Sequence, residues 1–318
     1  MKRALIVGID EYPNSPLKGS VNDANRMFDL LSKNQDDSPN FDCKKLVAPK
    51  GSYDEVTRSI LRSKIDELFV NPAETALFYF SGHGFLRIFN GFLVTQDATV
   101  YDEGVNMRDI IVSAIKSKIK EIIIILDCCF SGGLGKIPEI SNDNVILREG
   151  VSILTASRES QEAIEQSGAG LFTSKICNAL EGGAADIIGN INIASVYAYV
   201  DQIHGAWEPR PLFKSFVSKL TNLRKCKTFI EPSMLRLLPE YFSSPTYEYK
   251  LDRSYEPTEE PINPKNEEIF KHFQKYRAAR LLEPINEEHL YFAAINCKSC
   301  KLTPLGKFYW DLAKKGNI

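Results

Sequence analysis

The stretch that most constrains this chain is Glu121 to Gly133, EIIIILDCCFSGG. Its unbroken apolar core, Ile122 to Leu126, is too short for a helix that buries itself. A β-branched run of this length bounded by glycine reads as a strand covered on both faces, which is the habit of a parallel sheet. In open α/β sheets the ligand crevice lies at the carboxyl ends of the strands. Here that end carries Asp127, Cys128 and Cys129, then a glycine pair that gives a reactive group room.

A second stretch repeats the logic upstream. Thr75 to Phe80 (TALFYF) is an apolar strand that ends in Ser81-Gly82-His83-Gly84. A histidine between two glycines is poorly placed for core packing and well placed to face a cleft. Parallel strands joined by a crossover bring such ends together. A cysteine nucleophile needs that neighbour, because a thiol pKa near ~8.5 leaves little thiolate at neutral pH.

The remaining elements fit this frame. Arg3 to Ile9 is a first buried strand. Gly19 to Ala24 opens a helix that Ser20 or Asn22 can cap, with Met27, Phe28, Leu30 and Leu31 on its apolar face. Lys44 to Ala48 is a short strand and Tyr53 to Val70 an amphipathic helix closed by Asn71-Pro72. Phe92 to Val94 is a short strand, and Met107 to Ile119 is the crossover into the Ile122 strand. Residues 131 to 149 are a long loop, Gly150 to Ala156 a strand, Leu171 to Leu180 and Ala194 to Ile203 helices, and Pro211 to Val217 a last strand. Strands alternating with helices predict an α/β fold with a mainly parallel sheet of about six strands.

The two motifs, strand-SGHG and strand-DCC-x-SGG, together resemble the caspase/metacaspase superfamily of cysteine proteases, in particular its prokaryotic metacaspase-like branch. The resemblance covers residues 1 to about 222 and implies a caspase-like sandwich with helices flanking the sheet. It implies Cys129 as nucleophile, His83 as its base, and the backbone N–H groups of Gly84 and Cys129 as the oxyanion hole. Cys128 is then expected to point into the core. By the family pattern, Asp23 (in Gly19-Ser20-Val21-Asn22-Asp23-Ala24), Asp127 and Ser81 line the pocket for the substrate residue before the scissile bond. Two carboxylates there select Arg or Lys. The competing readings are a helix-dipole acid for Asp23 and a turn residue for Asp127. The chain departs from the family at Phe130, where metacaspases usually have histidine. That position is not catalytic, and only local packing is expected to differ.

For an enzyme that cuts after basic residues, Lys136 and Arg148 in the long loop are candidate self-cleavage sites, or simply solvated loop charges. No cofactor is expected. Some metacaspases need calcium, and Asp97, Asp102 and Glu103 are available, but no EF-hand spacing is present. Cys297 and Cys300 form a C-x-x-C with no second pair, which reads as a turn with two thiols rather than a metal site. His204 and His272 read as ordinary surface or core residues.

Composition narrows the partners. A net charge of −2 argues against general polyanion affinity. Seven cysteines at irregular spacing, without a secretory signal, predict reduced thiols and a cytoplasmic setting. No run reaches the ~18 apolar residues of a membrane span. Residues 223 to 264 are rich in proline and read as an irregular linker. Residues 265 to 318 read as a small helical or winged-helix-like regulatory domain, with Glu267 to Leu282 helical and a last helix opened by Thr303-Pro304. Their ten Lys/Arg against six Asp/Glu allow nucleic-acid binding without implying it.

The expected activity is an endopeptidase cleaving proteins after Arg or Lys. The last domain would respond to a small-molecule signal or protein partner. By resemblance, such enzymes serve as regulated effectors in bacterial stress or antiphage defence. The alternatives are a catalytically silent caspase-fold scaffold and a winged-helix regulator.

Overall fold

The computed structural model describes residues 1–87, 90–128, 130–131, 147–156, 165–166, 169–203 and 210–318. The chain forms two compact units. The first comprises residues 1–186 and 190–227, the second residues 187–189 and 228–318.

The first unit is built on a six-stranded sheet. Its strands are β1 (Lys2–Ile9), β2 (Asp42–Ala48), β3 (Thr75–Ser81), β7 (Glu121–Asp127), β9 (Val151–Thr155) and β13 (Leu212–Phe216). Their spatial order is β13-β9-β7-β3-β1-β2. Every pairing is parallel except that of β13 with β9. The mainly parallel sheet expected from the sequence is therefore present. Its central strands, β3 and β7, are buried along their whole length.

The period-2 alternation of a strand assigns each residue to one of two cores. Ala76, Phe78 and Phe80 of β3, with Ile122, Ile124, Leu126 and then Cys128, join a core closed by helices α2 (Arg58–Val70) and α3 (Met107–Lys116). Leu77 and Tyr79, with Ile123 and Ile125, join the opposite core. That core is closed by α1 (Ser20–Ser32), α4 (Leu171–Asn178) and α5 (Ile193–Gln202). The same parity places Ser81 and Asp127 on the α1/α4 side and Cys128 on the other, as the sequence predicts.

A smaller sheet adjoins the end of β3. Strands β4 (Gly84–Arg87), β5 (Asn90–Thr99), β6 (Asp102–Asn106) and β8 (Phe130–Ser131) lie in the order β6-β5-β4-β8. The expected short strand at Phe92 to Val94 is the middle of β5. Short pairs β10 (Glu165–Gln166) with β11 (Ala169–Gly170), and β12 (Asn190–Asn192) with β14 (Asn222–Lys225), complete the unit.

Two helix starts differ from expectation. Neither Ser20 nor Asn22 caps α1. Asp10, beyond the end of β1, does so from a distance: its Oδ1 accepts the N–H groups of Ser20 (2.8 Å) and Val21 (3.3 Å). Helix α2 begins at Arg58 rather than near Tyr53, because Asp54 takes a left-handed conformation (φ 58°) and Thr57 caps with its side chain on the Ile60 N–H.

The second unit overturns the linker reading of residues 223 to 264. Ile230, Leu235, Leu238, Phe242, Leu251 and Tyr255 share one core with Phe270, Phe273, Tyr276, Leu302 and Trp310. Prolines here open two short helices, α6 (Pro232–Leu235) and α7 (Leu238–Tyr241), instead of marking a spacer. The division falls near residue 228. The order that follows is β15 (Tyr249–Lys250), α8 (Pro264–Ala278), β16 (Leu282–Pro284), α9 (Leu290–Ile295), β17 (Ser299–Leu302) and α10 (Pro304–Lys314). A helix-turn-helix needs two consecutive helices joined by a short turn. From Pro264 onward helix and strand strictly alternate, and the strands form an antiparallel sheet β15-β17-β16. This is not the winged-helix order.

Candidate active site

His83 sits between β3 and β4, held from three sides. Its backbone N–H donates to the Tyr12 hydroxyl (3.0 Å), and its carbonyl accepts the Val94 N–H (3.0 Å). Its ring lies 4.6 Å, centroid to centroid, from that of Tyr12. The imidazole Nε2 is 2.7 Å from the Ser15 carbonyl. A carbonyl can only accept, so this contact assigns the proton to Nε2 and leaves Nδ1 as the basic nitrogen of the neutral ring. Gly82 is required beside it: a Cβ there would meet the Tyr12 hydroxyl at 2.5 Å. Gly84 follows as the first residue of β4 and is buried.

Cys129 lies outside the described residues. The chain on either side of it is described. Cys128 is buried in the α2/α3 core, and Phe130 pairs with Gly84 in the parallel β4–β8 ladder.

The three residues expected to line a basic-selective pocket are brought to one place. Ser81 and Asp127 are register partners at the carboxyl ends of β3 and β7. Asp23 reaches the same face from the first turn of α1. Gly170 measures their approach, since a Cβ on it would lie 2.7 Å from Oδ2 of both Asp23 and Asp127. Ser81, Asp23 and Asp127 are 3%, 1% and 9% exposed, so the two carboxylates share a site withdrawn from bulk water.

Each acid has one oxygen engaged at the start of α4. Asp23 Oδ2 accepts the Gly170 N–H (2.9 Å). Asp127 Oδ2 accepts the Thr173 N–H (3.2 Å) and hydroxyl (2.5 Å). The Thr173 hydroxyl is in turn 2.6 Å from that of Tyr79. Oδ1 of Asp23 is buried without a partner among the described residues. Burial first, and the neighbouring Asp127 charge second, push the Asp23 carboxyl up to about 7. Burial raises Asp127 as well, against the lowering effect of the Thr173 donors. A buried acid pair with a free oxygen is chemically suited to a cation that brings its own N–H donors.

Other candidates fall elsewhere. Lys136 and His204 lie outside the described residues. Arg148 is anchored: its guanidinium donates to the carbonyls of Ala114 (3.1 Å), Ile119 (2.5 Å) and Glu149 (2.6 Å). Cleavage after it would require all three contacts to break. The acids considered for calcium are engaged within the chain. Asp102 pairs with Arg58, Glu103 with Arg87 (2.8 Å), and Asp97 accepts from the Arg58 N–H (2.9 Å) and Thr95 hydroxyl (2.7 Å). No group of three His, Cys, Asp or Glu side chains poised for a metal occurs among the described residues. Cys300 is buried in the second unit's core while Cys297 is exposed in a turn, and His272 bonds Tyr241 (2.7 Å).

Sequence reasoning missed Tyr12, Ser15, Gly170 and Thr173. The first two follow the end of β1, where the strand-end rule alone could have flagged them. Nothing in the local pattern around Gly170 and Thr173 announces their contact with acids 147 and 46 residues away.

Comparison with known proteins bears on the family and the fold of the first unit. No curated protein matches. Among solved structures, protein GSU0716 from Geobacter sulfurreducens is similar at 13% identity over 71% of this chain and 97% of its own, with a TM-score of 0.52. Caspase-1 from Spodoptera frugiperda is similar at 12% identity over 71% of this chain and 90% of its own, with a TM-score of 0.46. The caspase-domain family, peptidase C14, matches residues 1–203, and the chain belongs to that family of cysteine peptidases.

Proposed function

We propose that the chain is a cysteine endopeptidase that cuts proteins after Arg or Lys. The observation that carries the specificity is the buried pair Asp23 and Asp127, with Oδ1 of Asp23 unpartnered among the described residues. A guanidinium brings several N–H donors in a planar fork and restores the missing partner, whereas an aspartate side chain would add a further negative charge to a dry acidic site. Ser81 supplies a polar edge beside Asp127.

In the reaction, Nδ1 of His83 takes the proton from the Cys129 thiol, while its Nε2–H stays on Ser15. The thiolate attacks the carbonyl carbon of the basic residue, and the oxyanion is held by the N–H groups of Gly84 and Cys129. The imidazolium then gives its proton to the leaving amine as the C–N bond breaks. Water, deprotonated by His83, hydrolyses the thioester and regenerates the thiol. Cysteine and histidine supply the nucleophile and the proton transfers that these steps use.

The nucleophile needs a reduced thiol, which a reducing cytoplasm would maintain. No helix among the described residues is long and apolar enough to cross a membrane. The second unit is assigned the regulatory role, answering a small-molecule signal or protein partner; the setting in stress or phage defence rests on resemblance alone.

The test is hydrolysis of fluorogenic peptides with Arg, Lys or Asp before the aminocoumarin, by wild type and Cys129→Ala. The expected result is cleavage after Arg and Lys that Cys129→Ala abolishes. Preference for Asp would overturn the pocket assignment. A scaffold would bind such peptides without cleaving any.

A further inference from the structure

His83 forms part of the wall of a cavity of about 530 Å³ that contains neither Asp23 nor Asp127. Its apolar walls come from Pro13, Phe85, Val94, Ala98 and Val100. Its charges are Arg87 and Glu103, paired at 2.8 Å, with the Arg87 guanidinium also 4.7 Å from the centre of the Tyr101 ring. The pair cancels, so the wall offers a substrate no net charge. A cavity of this size and lining accepts an apolar side chain with some backbone.

The direction of the substrate follows from the chemistry. The basic side chain before the scissile bond is held at the acid pair. The amine released by cleavage must come within hydrogen-bond reach of His83, which gives it its proton. The chain beyond that amine therefore leaves across the His83 ring, where the cavity lies.

We propose that this cavity receives the residues after the scissile bond and selects an apolar side chain at the first or second of them. Ala98 is a specificity-determining position, because a larger side chain there would fill the space. The inference rests on the peptidase reading above and adds a second determinant to it: a basic residue followed closely by an apolar one.

Internally quenched peptides with Arg before the bond, and Leu, Ser, Asp or Lys at each of the next two positions, test it. The expected result is that Leu at one of these positions raises kcat/KM about tenfold or more over the other three, the scale of one well-filled apolar pocket. In Ala98→Trp the Leu-to-Ser ratio falls toward one, while in Ala98→Gly it persists. Ratios within one preparation are independent of how much of the variant is folded. Rates within twofold for all four residues at both positions would overturn the inference, as would an unchanged ratio in Ala98→Trp. An Arg-aminocoumarin substrate, which has no residue beyond the bond, separates the two claims. If wild type cleaves it but ignores the following residues, only this inference fails. If wild type cleaves neither substrate, the peptidase reading fails and takes this inference with it.

Discussion

In its proposed role as a pocket residue, Asp23 answers two opposed demands. A cation needs its carboxylate, yet the carboxylate is withdrawn from water and faces Asp127, which pushes its pKa up to about 7. In the unfolded chain the group titrates near ~3.9. Between these values the folded state holds a proton that the unfolded state releases, so this group's contribution to stability falls as pH rises from about 4 to about 7 and then levels. Asp23→Asn lacks that loss and keeps an oxygen for the Gly170 N–H. Its Tm should exceed wild type by a few degrees at pH 8, roughly the shift of ~1 kcal/mol in a domain of this size, with the gap closing near pH 4. The same variant should lose roughly 30-fold or more in kcat/KM on Arg peptides, as expected when one partner of a buried charge pair is removed at ~2 kcal/mol. A gap in Tm that does not vary with pH would contradict the shifted carboxyl. At this scale His83 and Asp127 were legible because reactive side chains at strand ends stand out from apolar surroundings, whereas Asp23 was singled out only by resemblance to the family's G-x-x-N-D-A segment. Tyr12, Ser15 and Thr173 were not, since each acts through a backbone or hydroxyl contact that no residue pattern marks.

Elements here are fastened by residues distant in sequence. Asp10 caps α1, and Arg148 closes α3 and the turn before β7 by donating to the Ala114, Ile119 and Glu149 carbonyls. The Ala114 carbonyl also accepts the Ser117 N–H (3.3 Å), so the guanidinium adds a second donor at the helix end and ties it to the turn at Ile119. Arg148→Lys cannot reach three acceptors with one ammonium. It should cost ~1–3 kcal/mol, seen as a lowered midpoint in urea, and Arg148→Met should cost about as much or more. Wild-type stability in the lysine variant would mean that charge alone, rather than the guanidinium fork, is what matters. The strands could be read from their apolar runs. The helix starts could not, because Asp10 and the left-handed Asp54 outweigh the local capping candidates.

Across the whole molecule, the two units hold separate cores. Phe273 is fully buried in the second, with rings of Tyr249 and Phe242 at 4.8 and 5.6 Å. Phe273→Ala should cost ~3–5 kcal/mol there. Limited proteolysis should then open new cuts within residues 228–318 while residues 1–186 stay protected. Equal loss of protection in both units would show that they unfold as one.

The sequence by itself determined the six strands of the first unit's main sheet, the two facing strand ends and the residue types placed there. Burial forces apolar runs, and a thiol, an imidazole and a carboxylate at those ends are groups that no packing argument would put there. Tertiary structure alone decided the rest. It decided that Asp23 and Asp127 converge on Gly170, which of the imidazole nitrogens remains basic, and that a proline-rich stretch helps build a core. These depend on contacts between positions far apart in the chain, and a side chain's partner across such a gap is set by how the elements pack rather than by its neighbours in sequence.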